Sequence, residues 1–128
     1  MTIQNPKSEK DKFKDDFRRR LKNFVVELVR FVDSLPNDRS CRIMADQLMR
    51  SGTSVGANYF EARAASSKND FTNFFTYSLK SANESKFWLE TLIDTKKCNV
   101  PEADRLLREV SEIGNVLASS ILTLKGKR

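Results

Sequence analysis

The 128-residue chain has no histidine, and only four glycines, three prolines and two cysteines. Each shortage closes off a class of answer. Without histidine no imidazole can activate a serine or cysteine nucleophile, and no Glu-x-x-His pair can build a di-iron carboxylate centre. So few glycines and prolines cannot supply the many tight turns of an all-β chain. Cys41 and Cys98 match neither a zinc-ligand spacing nor a disulfide framework, and read as small, partly buried, reduced thiols. No P-loop and no GxGxxG run signals a phosphate cradle. No apolar run approaches the roughly 20 residues of a membrane span. The polar, lysine-rich stretch Met1 to Lys14 lacks the apolar core of a signal peptide, so the expected location is cytoplasmic. No metal, cofactor or catalytic site is expected. Any acid–base chemistry would fall to Glu61, Lys80 and Glu84 alone.

What remains is charge and periodicity. Hydrophobic residues make up 39% and charged residues 31%, a balance that supports one domain with a real core and a solvated surface. Residues 1–11 read as a flexible lead-in and 12–128 as the domain. Phe17, Leu21, Phe24, Leu28, Phe31 and Leu35 recur in steps of four and three, one face of a helix that stops before Pro36. Asp38 or Ser40 can cap the next, whose stripe runs Met44, Leu48, Ser51, Val55, Asn58, Ala62. That stripe keeps phase across Gly52 and Gly56, which favours one continuous helix with a small face over a break near Ser51–Ser54. After Ser67, a third stripe joins Phe71, Phe75, Ser78, Ala82, Ser85, Leu89 and Leu92, with Phe74, Ser81 and Trp88 beside it. Pro101 opens the last, through Ala103, Leu106, Val110, Ile113, Leu117, Ser120 and Leu124. Four long amphipathic helices with short connections predict an all-α, antiparallel up-down-up-down four-helix bundle.

Two features stand outside the apolar stripes. The net charge of +6 gathers in Arg18, Arg19, Arg20 and Lys22, and in a tail of Lys125, Lys127 and Arg128 with no acid after Glu112. These are the candidate nucleic-acid contacts, and the charge would lead the binding because no base-reading motif accompanies it. The second feature is polar residues on the stripes of helices two and three. Arg50, Ser51, Ser54, Asn58, Glu61, Lys80 and Glu84 form a candidate polar network that would fix helix register, since buried polar groups must find partners.

At these residues the sequence resembles a known family. Arg50-Ser51, Thr53-Ser54-Val55, Ala57-Asn58 and Glu61-Ala62, followed by Ser67, Asp70-Phe71, Ser78 through Ser85 and Trp88-Leu89, are similar to the signature of the 23S rRNA-intervening sequence proteins. The resemblance implies a four-helix bundle that assembles into a homopentamer. It also implies kinship with accessory proteins of diversity-generating retroelements, where such a pentamer works with a reverse transcriptase and nucleic acid. Two functions follow as expectations. One is an oligomeric, basic RNA- or DNA-associated accessory protein. The other is a protein-interaction module docking on a partner such as a reverse transcriptase, suggested by the wide aromatic coverage at Phe24, Phe31, Phe87 and Trp88.

Overall fold

A computed structural model describes Pro6 and residues 8–127 of the chain. Four helices follow in order: α1 Glu9–Asp33, α2 Arg39–Arg63, α3 Lys68–Asp94 and α4 Val100–Leu124. No strand occurs among the described residues. Every helix starts on a side chain that accepts a freed backbone N–H: Ser8 from Asp11, Asp38 from Cys41, Ser67 from Asp70 and Asn99 from Glu102, all at 2.9–3.1 Å. Ser8 is the reason α1 begins earlier than the apolar stripe implies. With Glu9 and Asp11 in its first turn, the helix takes in residues 9–11 of the expected lead-in; the remainder at 1–5 and 7 lies outside the described residues.

The helices run alternately up and down, as their neighbours show. Against α2, Leu28 of α1 meets Gly52, Val25 meets Gly56 and Phe17 meets Tyr59. Against α3, Tyr59 meets Phe75, Val55 meets Ser78 and Ser51 meets Ser85. Between α1 and α4, Arg20 reaches Glu109 and Glu112 while Glu27 reaches Arg105. In each pair the numbers rise on one helix as they fall on the other. Leu79 and Ala82 of α3 lie over Gly114, which joins α3 to α4. The core follows most of the predicted stripes, with Leu21, Phe24, Leu28, Leu48, Val55, Leu89, Leu92, Val110, Ile113 and Leu117 all essentially sealed from solvent. Leu35, Asn58, Phe71, Ser120 and Leu124 are only half-buried, and Cys41 and Tyr59 join the core from off the stripes. Burying each side chain of this size contributes roughly 1.5–3 kcal/mol.

α2 is unbroken across both glycines, and the structure separates their roles. A Cβ at Gly52 would lie 2.0 Å from Cδ2 of Leu28, itself fully buried; at Gly56 the nearest atom would be Cγ2 of Val25, at 3.4 Å. Gly52 is therefore the place where α1 presses onto α2. At the other end of α2, Asp38 caps the helix and also takes an ion pair from Nζ of Lys97, at 3.0 Å. The bond from the Cys41 N–H, then Lys97, holds the Asp38 carboxyl below its ordinary range.

Gly56→Ala should raise stability by up to about 1 kcal/mol, the helix-propensity difference. Gly52→Ala should lower it by about 1 kcal/mol, because displacing Leu28 in a full core outweighs the same gain. Denaturant midpoints of both variants check the pair. Because the folded Asp38 titrates below its unfolded value, its cap contribution is complete above about pH 4. It should drain away as pH falls through the lowered folded value, so Asp38→Asn should flatten the acid limb of a stability–pH curve.

Candidate functional site

The polar residues of the α2–α3 seam divide into three groups. Ser51, Ser78 and Ser85 are fully buried and form the interhelical part. The Ser51 and Ser85 hydroxyls lie 2.9 Å apart, and Ser78 donates across the seam to the Val55 carbonyl at 2.6 Å. The Ser51 and Ser85 hydroxyls also reach the Leu48 and Ser81 carbonyls of their own helices. At the outer edge, Arg50 pairs with Glu84, whose Oε2 also accepts the Trp88 indole N–H at 3.1 Å. The other expected members turn elsewhere. Ser54 and Asn58 bond carbonyls of α2 itself, those of Arg50 and Ser54. Glu61 and Lys80 stand exposed and take no part. Ser54, Glu61 and Lys80 stand off the stripes, where each step is a rotation of about 100°, whereas Asn58 stays on its stripe, half-buried, and bonds within α2.

The same rotation splits the basic run of α1. Arg18 turns toward α2, its guanidinium 4.7 Å from the ring centre of Phe60. Arg19 faces solvent with a loose partner in Asp16, both side chains about 70% exposed. Arg20 turns toward α4, where its Nε donates to both Glu109 oxygens at 3.0 Å and Nη2 reaches Glu112. The bond to Glu109 raises its pKa further, so Arg20 is a committed interhelical cation and leaves the set of candidate contacts. Lys22 is exposed. Asp15, Arg18, Arg19, Lys22, Asn23 and Phe60 line a shallow groove of about 560 Å³ on this side of the bundle.

The tail is a separate site. Lys125 caps the C-terminus of α4, Gly126 takes the left-handed conformation that ends it, and Lys127 is exposed. Arg128 lies outside the described residues. Glu112 is level with Arg20, so Lys125 stands about 20 Å further along the bundle at 1.5 Å per residue. The two clusters do not merge into one patch. Reasoning from sequence missed Phe60, Glu109 and Glu112. Phe60 lies beside Tyr59 off the apolar stripe of α2, and the acids are ordinary surface residues until α4 is laid against α1.

Neither thiol is set up for chemistry. Cys41 is buried and Cys98 half-buried, both free, and burial pushes both pKa values up, away from the reactive thiolate. Among the described residues no cluster of three carboxylates or thiols is arranged to hold a metal ion, and no helix is long and apolar enough to cross a membrane. Of the aromatics expected to offer a docking face, Phe24 and Phe31 are core residues and Trp88 is half-buried; Phe87 is 57% exposed.

Comparison with known proteins agrees with this architecture. The model of the family described as 23S rRNA-intervening sequence protein matches residues 14–119, a span reaching into all four helices. Six chains of solved structures match. One is the crystal structure of a protein of unknown function from the S23 ribosomal protein family of Bacteroides thetaiotaomicron VPI-5482. It is 36% identical, covers 82% of this chain and 97% of its own, and superposes with a TM-score of 0.77. No curated protein matches the chain.

The seam makes a measurable claim. Ser78→Ala should cost about 1 kcal/mol, the net worth of a buried hydrogen bond. A double-mutant cycle on Ser51→Ala and Ser85→Ala should return a coupling of at least about 0.5 kcal/mol. Simple additivity of the two would mean the hydroxyls do not depend on each other.

Proposed function

The chain belongs to the 23S rRNA-intervening sequence protein family, and on that premise we propose that it is a non-enzymatic, cytoplasmic accessory protein that assembles as a homo-oligomer and associates with RNA or DNA through charge. The observation that carries the proposal is the exposed group of Arg18, Arg19 and Lys22 around one groove, seconded by Lys125 and Lys127 at the end of α4. Arg19 is available because an exposed ion pair such as that with Asp16 contributes little, about 0–1 kcal/mol, and yields readily to a phosphate. One subunit offers few contacts. Assembly multiplies them, and the pentamer implied by the sequence resemblance would carry about +30, with each neutralised phosphate releasing counterions. Exposed Ile43, Tyr77 and Phe87 on α2 and α3 are the apolar surface such an assembly would cover.

The same exposed Phe87, stacked edge-on against Trp88 at 4.9 Å, favours a second reading. In it this face docks on a partner protein such as a reverse transcriptase, and nucleic acid is not touched directly.

Filter binding of the assembled protein across a salt series separates the two. Charge-led association should be measurable at about 50 mM salt and fall steeply by about 200 mM. Replacing Arg18, Arg19 and Lys22 together by Ser should weaken it at least about tenfold and reduce the salt slope by roughly 0.9 per lost contact. Arg20→Gln should lower stability by about 1 kcal/mol or less and leave that slope unchanged. No affinity at low salt, with a specific protein recovered in pull-downs after nuclease treatment, would leave only the second reading.

A further inference from the structure

Phe60 is an aromatic ring that the core does not need. It is 38% exposed at the edge of α2, outside the buried cluster, where its neighbour Tyr59 already fills the seam. Its ring is not left to water alone: the Arg18 guanidinium lies over it, and Tyr59 meets it edge-on with centroids 6.4 Å apart. Arg19, Lys22 and Asn23 stand around the same groove, which is open along the side of α1. A planar cation resting on an exposed ring, flanked by two further cations and an amide, is more specific than a basic patch. The outer face of a guanidinium accepts a nucleobase by stacking, and a base placed there would extend the pile begun by Phe60 and Arg18. Its phosphates would then fall to Arg19 and Lys22, and the Asn23 amide offers both a donor and an acceptor to a base edge. A duplex cannot use such a shelf, because its base faces are covered by their neighbours. Asp15 at the rim also interrupts the positive row that a duplex backbone would follow.

We infer that the groove between α1 and Phe60 binds unpaired nucleotides, with a base stacked on Arg18 above Phe60, so that single-stranded RNA or DNA is preferred to duplex. The inference rests on the charge-led reading and adds the strand state and the stacking pair to it.

The test uses substitutions that leave charge alone. Arg18→Lys keeps the cation but loses the plane, and Phe60→Leu keeps an apolar side chain but loses the ring. Both positions are exposed, and circular dichroism with a thermal melt verifies the fold of each variant. Fluorescence anisotropy is measured with a short labelled oligouridylate, the matching oligothymidylate, and blunt RNA and DNA duplexes of equal length. The wild type should bind the single strands more tightly, and each variant should lose about tenfold on them and nothing on the duplexes. The two single-stranded probes tell whether the sugar matters. Equal binding of single strands and duplexes, or variants that leave single-strand binding unchanged, would overturn the stacking shelf while charge-led association stands. A wild type that binds none of the four probes would overturn both.

Discussion

Three serine hydroxyls in a dry seam hold the fold in register. Apolar faces alone would let α2 slide against α3, since one leucine contact resembles another. The serines resist it: all three sit fully buried, and Ser78, whose acceptor lies on α2, would lose about 1–3 kcal/mol if that bond were broken. Ser78 finds the Val55 carbonyl, and Ser51 and Ser85 find each other. A slip of α3 along α2 would break the Ser78 bond and the Ser51–Ser85 contact together, although Ser51 and Ser85 would each keep a carbonyl of their own helix. The small side chains that make this possible also let the two helices approach closely, and Arg50, Glu84 and Trp88 close the outer edge of the same seam.

The remaining helices are placed from that pair. α4 meets α3 where Gly114 leaves room beneath Leu79 and Ala82, and α1 meets α2 where Gly52 leaves room for Leu28. Once α1 is set at that depth, its basic run has no freedom left in how it is divided. Three consecutive arginines point about 100° apart. Arg18 therefore arrives over Phe60, Arg19 in solvent, and Arg20 between Glu109 and Glu112. The groove exists because the register puts Phe60 opposite Arg18.

The helices and the core were legible in the sequence because both follow from a period. Apolar residues at steps of three and four mark a face, and Asp38, Ser67 and Pro101 mark starts whichever way the chain folds. The continuity of α2 through Gly52 and Gly56 was legible for the same reason, as the stripe kept phase. The start of α1 was missed because Ser8 caps the helix ahead of its apolar stripe, where periodicity carries no signal. The site was only half legible. A sequence shows that Arg18, Arg19 and Arg20 are cations, but whether Arg18 and Arg20 are free is decided by residues some 40 to 90 positions away, and those pairings require the register first. Ser54, Glu61 and Lys80 fail as network members for the converse reason, fitting the right segment but projecting away from the seam, while Asn58 stays on the stripe and gives its amide to the Ser54 carbonyl of its own helix.

The division of polar groups also constrains the kind of ligand the surface suits. Inside the bundle, polar side chains are consumed by the seam and by the α1–α4 ion pairs, and the two basic clusters, Arg18 with Arg19 and Lys22, and Lys125 with Lys127, stand about 20 Å apart along the bundle. A compact anion can occupy one of them but cannot span both. Only a polyanion extended over that whole distance could reach both. Between those points α4 offers no acid beyond Glu112, but the N-terminal part of α1 beside it carries Glu9, Asp11, Asp15 and Asp16, which repel a polyanion along the way. The two clusters are therefore separate surfaces, divided by the acids of α1, and the modest net charge of a single chain does not join them into one.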